Sequence, residues 1–166
     1  MALDATIGGY TANSYVTVEE ADAYFLDRIH SEDWSVSVPK EQALITASRM
    51  LDWYLKFKGY KADAEQAMEW PRVEVTLSSG YEVSSTIIPK AVKVATFEMA
   101  LAVLAEDRSL DDDLAGLAHV QAGPLVIKTA QGIRPAAKSP VPDRVKESLR
   151  DYIRGSGISV VWLERA

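Results

Sequence analysis

Cysteine is absent from the 166 residues, and histidine occurs only twice. The first absence excludes disulfide frameworks, thiolate zinc sites, iron–sulfur clusters and cysteine nucleophiles. The second leaves the common acid–base and metal chemistries thinly supplied. Basic residues are also short: 18 Lys and Arg face 24 Asp and Glu, a net charge of -6. Such a chain is a poor general binder of phosphate backbones, whose affinity comes from Lys and Arg, although a local basic patch is compatible with it. No long hydrophobic run is present. The longest, Met99 to Ala105, is far shorter than a membrane span. The N-terminus carries Asp4 and lacks a basic segment followed by an apolar one, so it does not read as a secretory signal. What remains is ordinary: 48% hydrophobic and 25% charged residues in a length that suits one domain able to bury its own core.

Periodicity places the elements. Thr17 and Glu20 form a capping box ahead of Val18, Ala21, Tyr24, Phe25 and Ile29, which predicts a helix over about 18–30. Residues 30–38 read as a polar connection. Pro39 and the spacing of Leu44, Ala47, Met50, Leu51, Tyr54 and Leu55 predict a helix over about 39–58, ended by Gly59. Asp63 is a candidate cap for a short helix through Met68. The alternation in residues 73–83 about Ser78-Ser79-Gly80 predicts a short hairpin or extended arm. The strongest helix is expected over about 88–107, a short strand at 125–127 that turns back near Gln131-Gly132, and a last helix over about 141–154. The fold class is therefore mainly α: a bundle of about four helices with a β-hairpin or arm, spanning residues 1–157, followed by an extended tail at 158–166. The expected core holds Tyr24, Phe25, Leu44, Met50, Leu51, Tyr54, Val92, Ala95, Met99, Val103 and Leu149.

No catalytic constellation emerges. His30 and His119 fit no metal-ligand spacing, and Asp111-Asp112-Asp113 lacks the alternation and closing Glu of a calcium loop. Gly8-Gly9 and Gly155-Ser156-Gly157 are too short for a phosphate loop. Neither an enzyme nor a cofactor or metal site is expected. Two features remain. Trp53, Lys56, Lys58, Tyr60 and Lys61, with Tyr54 and Phe57, interleave rings and positive charge, the pairing that single-stranded nucleic-acid sites use. Core filling by the rings and helix-dipole compensation by the lysines is the competing reading. The tail run of Ile158, Val160, Val161, Trp162 and Leu163 must pack on its own domain or on a partner.

The ordered strings Ala12–Phe25, Ala43–Asp52, Trp70-Pro71-Arg72, Ile88–Val92 and Gly123-Pro124-Leu125 resemble a tailed-bacteriophage family. Its members are labelled DnaT-like single-stranded-DNA-binding proteins, and it is also similar to the head–tail connector adaptors of phage necks. The adaptor resemblance implies a homo-oligomeric ring, commonly of twelve subunits, located in the virion neck beneath the portal protein and above downstream tail proteins. Double-stranded DNA would pass through it without specific binding and no membrane would be involved. On that reading the apolar tail suits portal or neighbour contacts through Ile158, Val160, Val161, Trp162 and Leu163, although its aromatic and apolar character departs from the family, and the 73–83 arm with Arg72 suits inter-subunit contacts through Arg72, Val75, Leu77 and Tyr81. The acidic charge suits a channel that repels phosphate, so the adaptor is the expected function. Single-stranded-DNA binding in replication, through Trp53, Lys56, Lys58, Tyr60 and Lys61, is the alternative.

Overall fold

Thr17 opens the first helix: its hydroxyl accepts the Glu20 N–H at 3.3 Å, and the Glu20 carboxylate accepts the Thr17 N–H at 3.2 Å. The capping box thus forms as expected. The computed structural model describes residues 2–36, 39–106, 108, 119–122, 125–128 and 139–154. The fold is mainly helical, with α1 (Val18–Leu26), α2 (Glu32–Val36), α3 (Lys40–Tyr54), α4 (Lys90–Ala105) and α5 (Asp143–Ser148). Two antiparallel ribbons accompany them, β1 (Tyr60–Lys61) with β2 (Arg72–Val73), and β3 (His119–Ala122) with β4 (Leu125–Lys128). The Leu125–Ile127 strand is present, and its partner precedes it in the chain. The boundary at 157, the tail 158–166, the triple Asp at 111–113 and the turn at 131–132 lie outside the described residues.

The centre is α3 packed on α4, the most extensive helix pair among the described residues. Ala47, Ser48 and Leu51 on α3 and Val92, Ala95, Thr96, Met99 and Ala100 on α4 are completely buried. Small residues there allow close approach, and the two hydroxyls are not left dry. Ser48 Oγ accepts the Tyr15 N–H at 3.2 Å, and the Thr96 hydroxyl donates to the Val92 carbonyl at 2.9 Å. Helix α1 joins through rings: Tyr24 stacks on Phe97 at 4.8 Å and Phe25 on Trp34 at 4.8 Å. The Glu98 carboxylate then ties three helices together. It accepts the Tyr24 hydroxyl at 2.9 Å and Arg28 Nε at 2.6 Å, and lies 3.3 Å from Arg144 Nε.

Several expected elements are shorter than their periodicity. α1 stops at Leu26, because Arg28 turns to Glu98 and to the carbonyls of Ile29 and His30, and His30 takes a φ of 56°. The polar connection contains α2, too short for a periodic signal; its Trp34 is buried and donates to Asp22 at 2.9 Å. α3 ends at Tyr54, and Leu55 is extended. Strand-like pairing wins over further helix: Lys58 N–H donates to the Tyr152 carbonyl at 2.8 Å and Arg154 N–H to the Lys56 carbonyl at 2.7 Å. Gly59 is accordingly no helix cap. Its φ is 67°, and a Cβ there would lie 2.0 Å from the Val73 carbonyl oxygen. Asp63 builds a turn rather than a helix, accepting the Glu65 N–H at 2.8 Å. The last helix covers only Asp143–Ser148, with turns carrying the chain on to Ile153.

The 73–83 hairpin exists: Val83 N–H donates to Val75 O and Leu77 N–H to Tyr81 O, each at 2.9 Å. Its base packs on the core, with Val75 wholly buried and Leu77 and Val83 half-buried, while residues 78–82 at its tip are exposed. Of the expected core, Phe25, Leu44, Met50, Leu51, Val92, Ala95, Met99 and Leu149 are buried, Tyr24 and Val103 half-buried, and Tyr54 is exposed. Leu51→Ala is expected to lower the unfolding free energy by about 2–5 kcal/mol in urea titrations, since Leu51 is buried between both helices.

Candidate nucleic-acid interface

The end of α3 and the extended segment after it carry an unusual surface. Residues 49–61 hold four cations, Arg49, Lys56, Lys58 and Lys61, against one acid, Asp52, in a chain whose net charge is -6. Trp53 is 69% exposed and Tyr60 62%, while Tyr54 is 46% exposed. The alternation of the extended segment explains the sorting: Leu55 and Phe57 point into the core, Lys56 outward, and Lys58 sits half-buried. Phe57 packs edge-on against Trp70 at 5.6 Å, which in turn meets Tyr152 at 5.9 Å.

The sequence cluster therefore divides. Trp53, Lys56, Lys58 and Tyr60 stay available, and among the described residues neither lysine has a carboxylate partner. Phe57 serves the core. Lys61 is engaged, 3.5 Å from the Glu69 carboxylate and 3.4 Å from the Gln66 carbonyl.

Arg72 underpins the segment from beneath. Its Nε donates to the Lys58 carbonyl at 2.7 Å, and Nη2 to the Gly59 carbonyl at 2.9 Å. Nη1 donates to the Glu69 carbonyl at 3.1 Å and to its carboxylate at 2.5 Å. Of the residues expected at an inter-subunit contact, Arg72 and Val75 are thus turned inward and occupied within the chain. Leu77 is half-buried and Tyr81 exposed. The tail residues Ile158, Val160, Val161, Trp162 and Leu163 lie outside the described residues.

Next to Trp53 is a half-buried acid. Asp52 accepts the Tyr15 hydroxyl and, at 3.2 Å, the Glu69 N–H. Burial pushes its carboxyl from 3.8 up to about 6, against the opposing pull of those hydrogen bonds. Burial and the neighbouring Asp52 charge likewise hold the Tyr15 hydroxyl well above its ordinary value. Arg49 and Tyr10 border the same surface, and the apolar periodicity marks neither. The signal for Arg49 is its spacing of four residues from Trp53, which sets both on one helix face. Tyr10 carries no local signal, because a loop brings it there. His30 is exposed, and among the described residues no group of His, Asp or Glu is placed to hold a metal ion. No helix among them is long and apolar enough to cross a membrane.

A sequence family described as "Putative DnaT-like ssDNA binding protein" matches residues 1–166. The chain belongs to this family. No curated relative and no solved structure matches it. The match overturns the neck-adaptor expectation: the family description names a single-stranded-DNA-binding protein, not a virion part, over the full length.

The raised Asp52 carboxyl has a pH consequence. Between about pH 4 and 6 the folded chain keeps a proton that the unfolded chain has released, so this group's contribution to stability falls as pH rises through that interval. Asp52→Asn is expected to gain stability relative to the parent chain as pH rises from about 4 to 6, levelling above. Urea titrations across that range check it, and parallel stability curves would contradict it.

Proposed function

We propose that this protein binds single-stranded DNA through the surface formed by Trp53, Lys56, Lys58 and Tyr60. The carrying observation is that two large rings and two lysines without carboxylate partners among the described residues share one short, well-anchored segment. The family match over the whole chain supports the same reading. Each component has a defined task. The indole of Trp53 and the phenol of Tyr60 offer faces on which bases stack, an interaction indifferent to sequence because every base has a π face. Lys56 and Lys58 neutralise phosphates and release counterions. Duplex DNA hides its base faces, so exposed rings favour an unpaired strand.

The net charge of -6 does not oppose this arrangement. Exposed charges more than about 8–10 Å apart are largely screened at physiological salt, so the local balance governs a bound strand. An acidic remainder also discourages indiscriminate condensation on nucleic acid.

Fluorescence anisotropy of a labelled oligonucleotide tests the reading. Trp53→Ala is expected to weaken binding by about 1–3 kcal/mol, the usual worth of one stacked base. The Lys56→Ala, Lys58→Ala double variant is expected to flatten the plot of log affinity against log salt by about 0.7 for each phosphate that is no longer neutralised. Absence of salt-sensitive binding at low ionic strength would overturn the proposal.

A further inference from the structure

Residues 4–14 close on themselves. The N–H groups of Asn13 and Ser14 donate to the Asp4 carbonyl at 2.9 and 3.1 Å, and the Asp4 N–H donates to the Asn13 side-chain oxygen at 2.8 Å. Gly8, with a φ of 69°, turns the chain, and the Ala67 N–H holds the Gly9 carbonyl at 3.1 Å. The result is a compact loop with joined ends. Its tip presents Tyr10, 70% exposed, and no other ring stacks on it among the described residues.

Beside this tip lies a hollow of about 390 Å³ bordered by Tyr10, Arg49, Asp52, Trp53 and Glu69. Its volume falls in the lower part of the range of small-ligand sites. Its chemistry is divided. The exposed side carries two rings and the Arg49 guanidinium, which has no carboxylate partner among the described residues. The wall carries two carboxylates. Asp52 is already bonded to Tyr15 and the Glu69 N–H, and Glu69 to Arg72 and Lys61. Each carboxylate has about four lone-pair sites, so both retain capacity to accept.

We propose that this hollow receives one unpaired nucleobase between Tyr10 and Trp53, with a flanking phosphate on Arg49, and that its carboxylate wall favours a base bearing an exocyclic amine over thymine. The inference rests on the single-stranded-DNA reading and adds a base subsite to it. Stacking alone would be sequence-tolerant. The wall makes the difference: cytosine and adenine present an amino group that a carboxylate accepts, whereas thymine presents a carbonyl at the corresponding position and has only its ring N3–H, flanked by two carbonyl oxygens, to donate. Charge also fixes the orientation, since the acids turn phosphate away from the wall and Arg49 draws it to the rim.

The test uses the full chain and labelled oligo(dC) and oligo(dT) of equal length in anisotropy titrations at low salt. The parent chain is expected to prefer oligo(dC) several-fold. Tyr10→Ala and Arg49→Ala, both at exposed positions, are expected to weaken oligo(dC) binding about tenfold, and Tyr10→Ala to erase the preference. Tyr10→Phe is expected to restore it, because the ring carries the stacking. The Lys56→Ala, Lys58→Ala variant should weaken both oligonucleotides alike and keep the preference. Equal binding of the two oligonucleotides by the parent chain, or a preference that survives in Tyr10→Ala, would overturn the base subsite while leaving strand binding standing. Failure of the parent chain to bind either oligonucleotide would instead overturn the reading beneath it.

Discussion

The buried guanidinium of Arg72 is the constraint on which the candidate interface depends. It bonds the carbonyls of Lys58, Gly59 and Glu69 and the Glu69 carboxylate. A buried charge is tolerated when it is paired and its donors are satisfied; here the charge is paired with Glu69 and four of the five N–H donors are bonded. The benefit is geometric. Three carbonyls from two stretches of chain are held around one rigid planar fork, so the segment that leaves α3 has a fixed course. That course presents Trp53, Lys56 and Tyr60 to solvent and buries Phe57 beside Trp70. Without the fork, the Lys58 and Glu69 carbonyls would lose their side-chain donor and the Gly59 carbonyl would keep only Arg154, at 3.3 Å, and lysine could not replace it from a single donor centre.

Electrostatic organisation follows a similar division of labour. In one cluster, Glu98 gathers Arg28, Arg144 and the Tyr24 hydroxyl, joining α1, α4 and α5. In another, Asp52 and Glu69 accept from Tyr15, Arg72 and Lys61. Cations with structural duties are thus consumed by acids, while Arg49, Lys56 and Lys58 have no such partner among the described residues. A strand-binding surface needs this separation, because a lysine already paired gains little from meeting a phosphate.

Much of this is legible in the sequence, and the failures have physical causes. The capping box of α1, the long apolar α4 and the buried face of α3 follow from spacing. So does the ring-and-lysine cluster, though its division does not. Periodicity assigns Tyr54 to the core because it continues the helical stripe. The chain abandons the helix one residue later to pair with residues 152–154, and no local pattern records that distant partner. Arg72 reads as a candidate inter-subunit contact, since sequence cannot show three backbone carbonyls converging on it. Tyr10 is invisible for a related reason: its place beside Trp53 is set by hydrogen bonds from Asn13, Ser14 and Ala67. Acidity alone is compatible with a DNA channel and with a strand binder, so the adaptor expectation falls to the family match and not to composition.

The course of residues 55–58 carries a consequence for how the protein can vary. Its side chains sort by a two-residue period, Leu55 and Phe57 inward, Lys56 outward and Lys58 half-exposed. Gly59 then closes against the Val73 carbonyl, where no side chain fits. The segment is therefore locked in phase at both ends, by the helix before it and the glycine after it. A substitution at Lys56 alters one outward group, but one inserted or deleted residue inverts the whole set, placing lysines against Trp70 and a phenylalanine in water. Surface segments commonly absorb changes of length; this one tolerates changes of identity at its outward positions and resists changes of length.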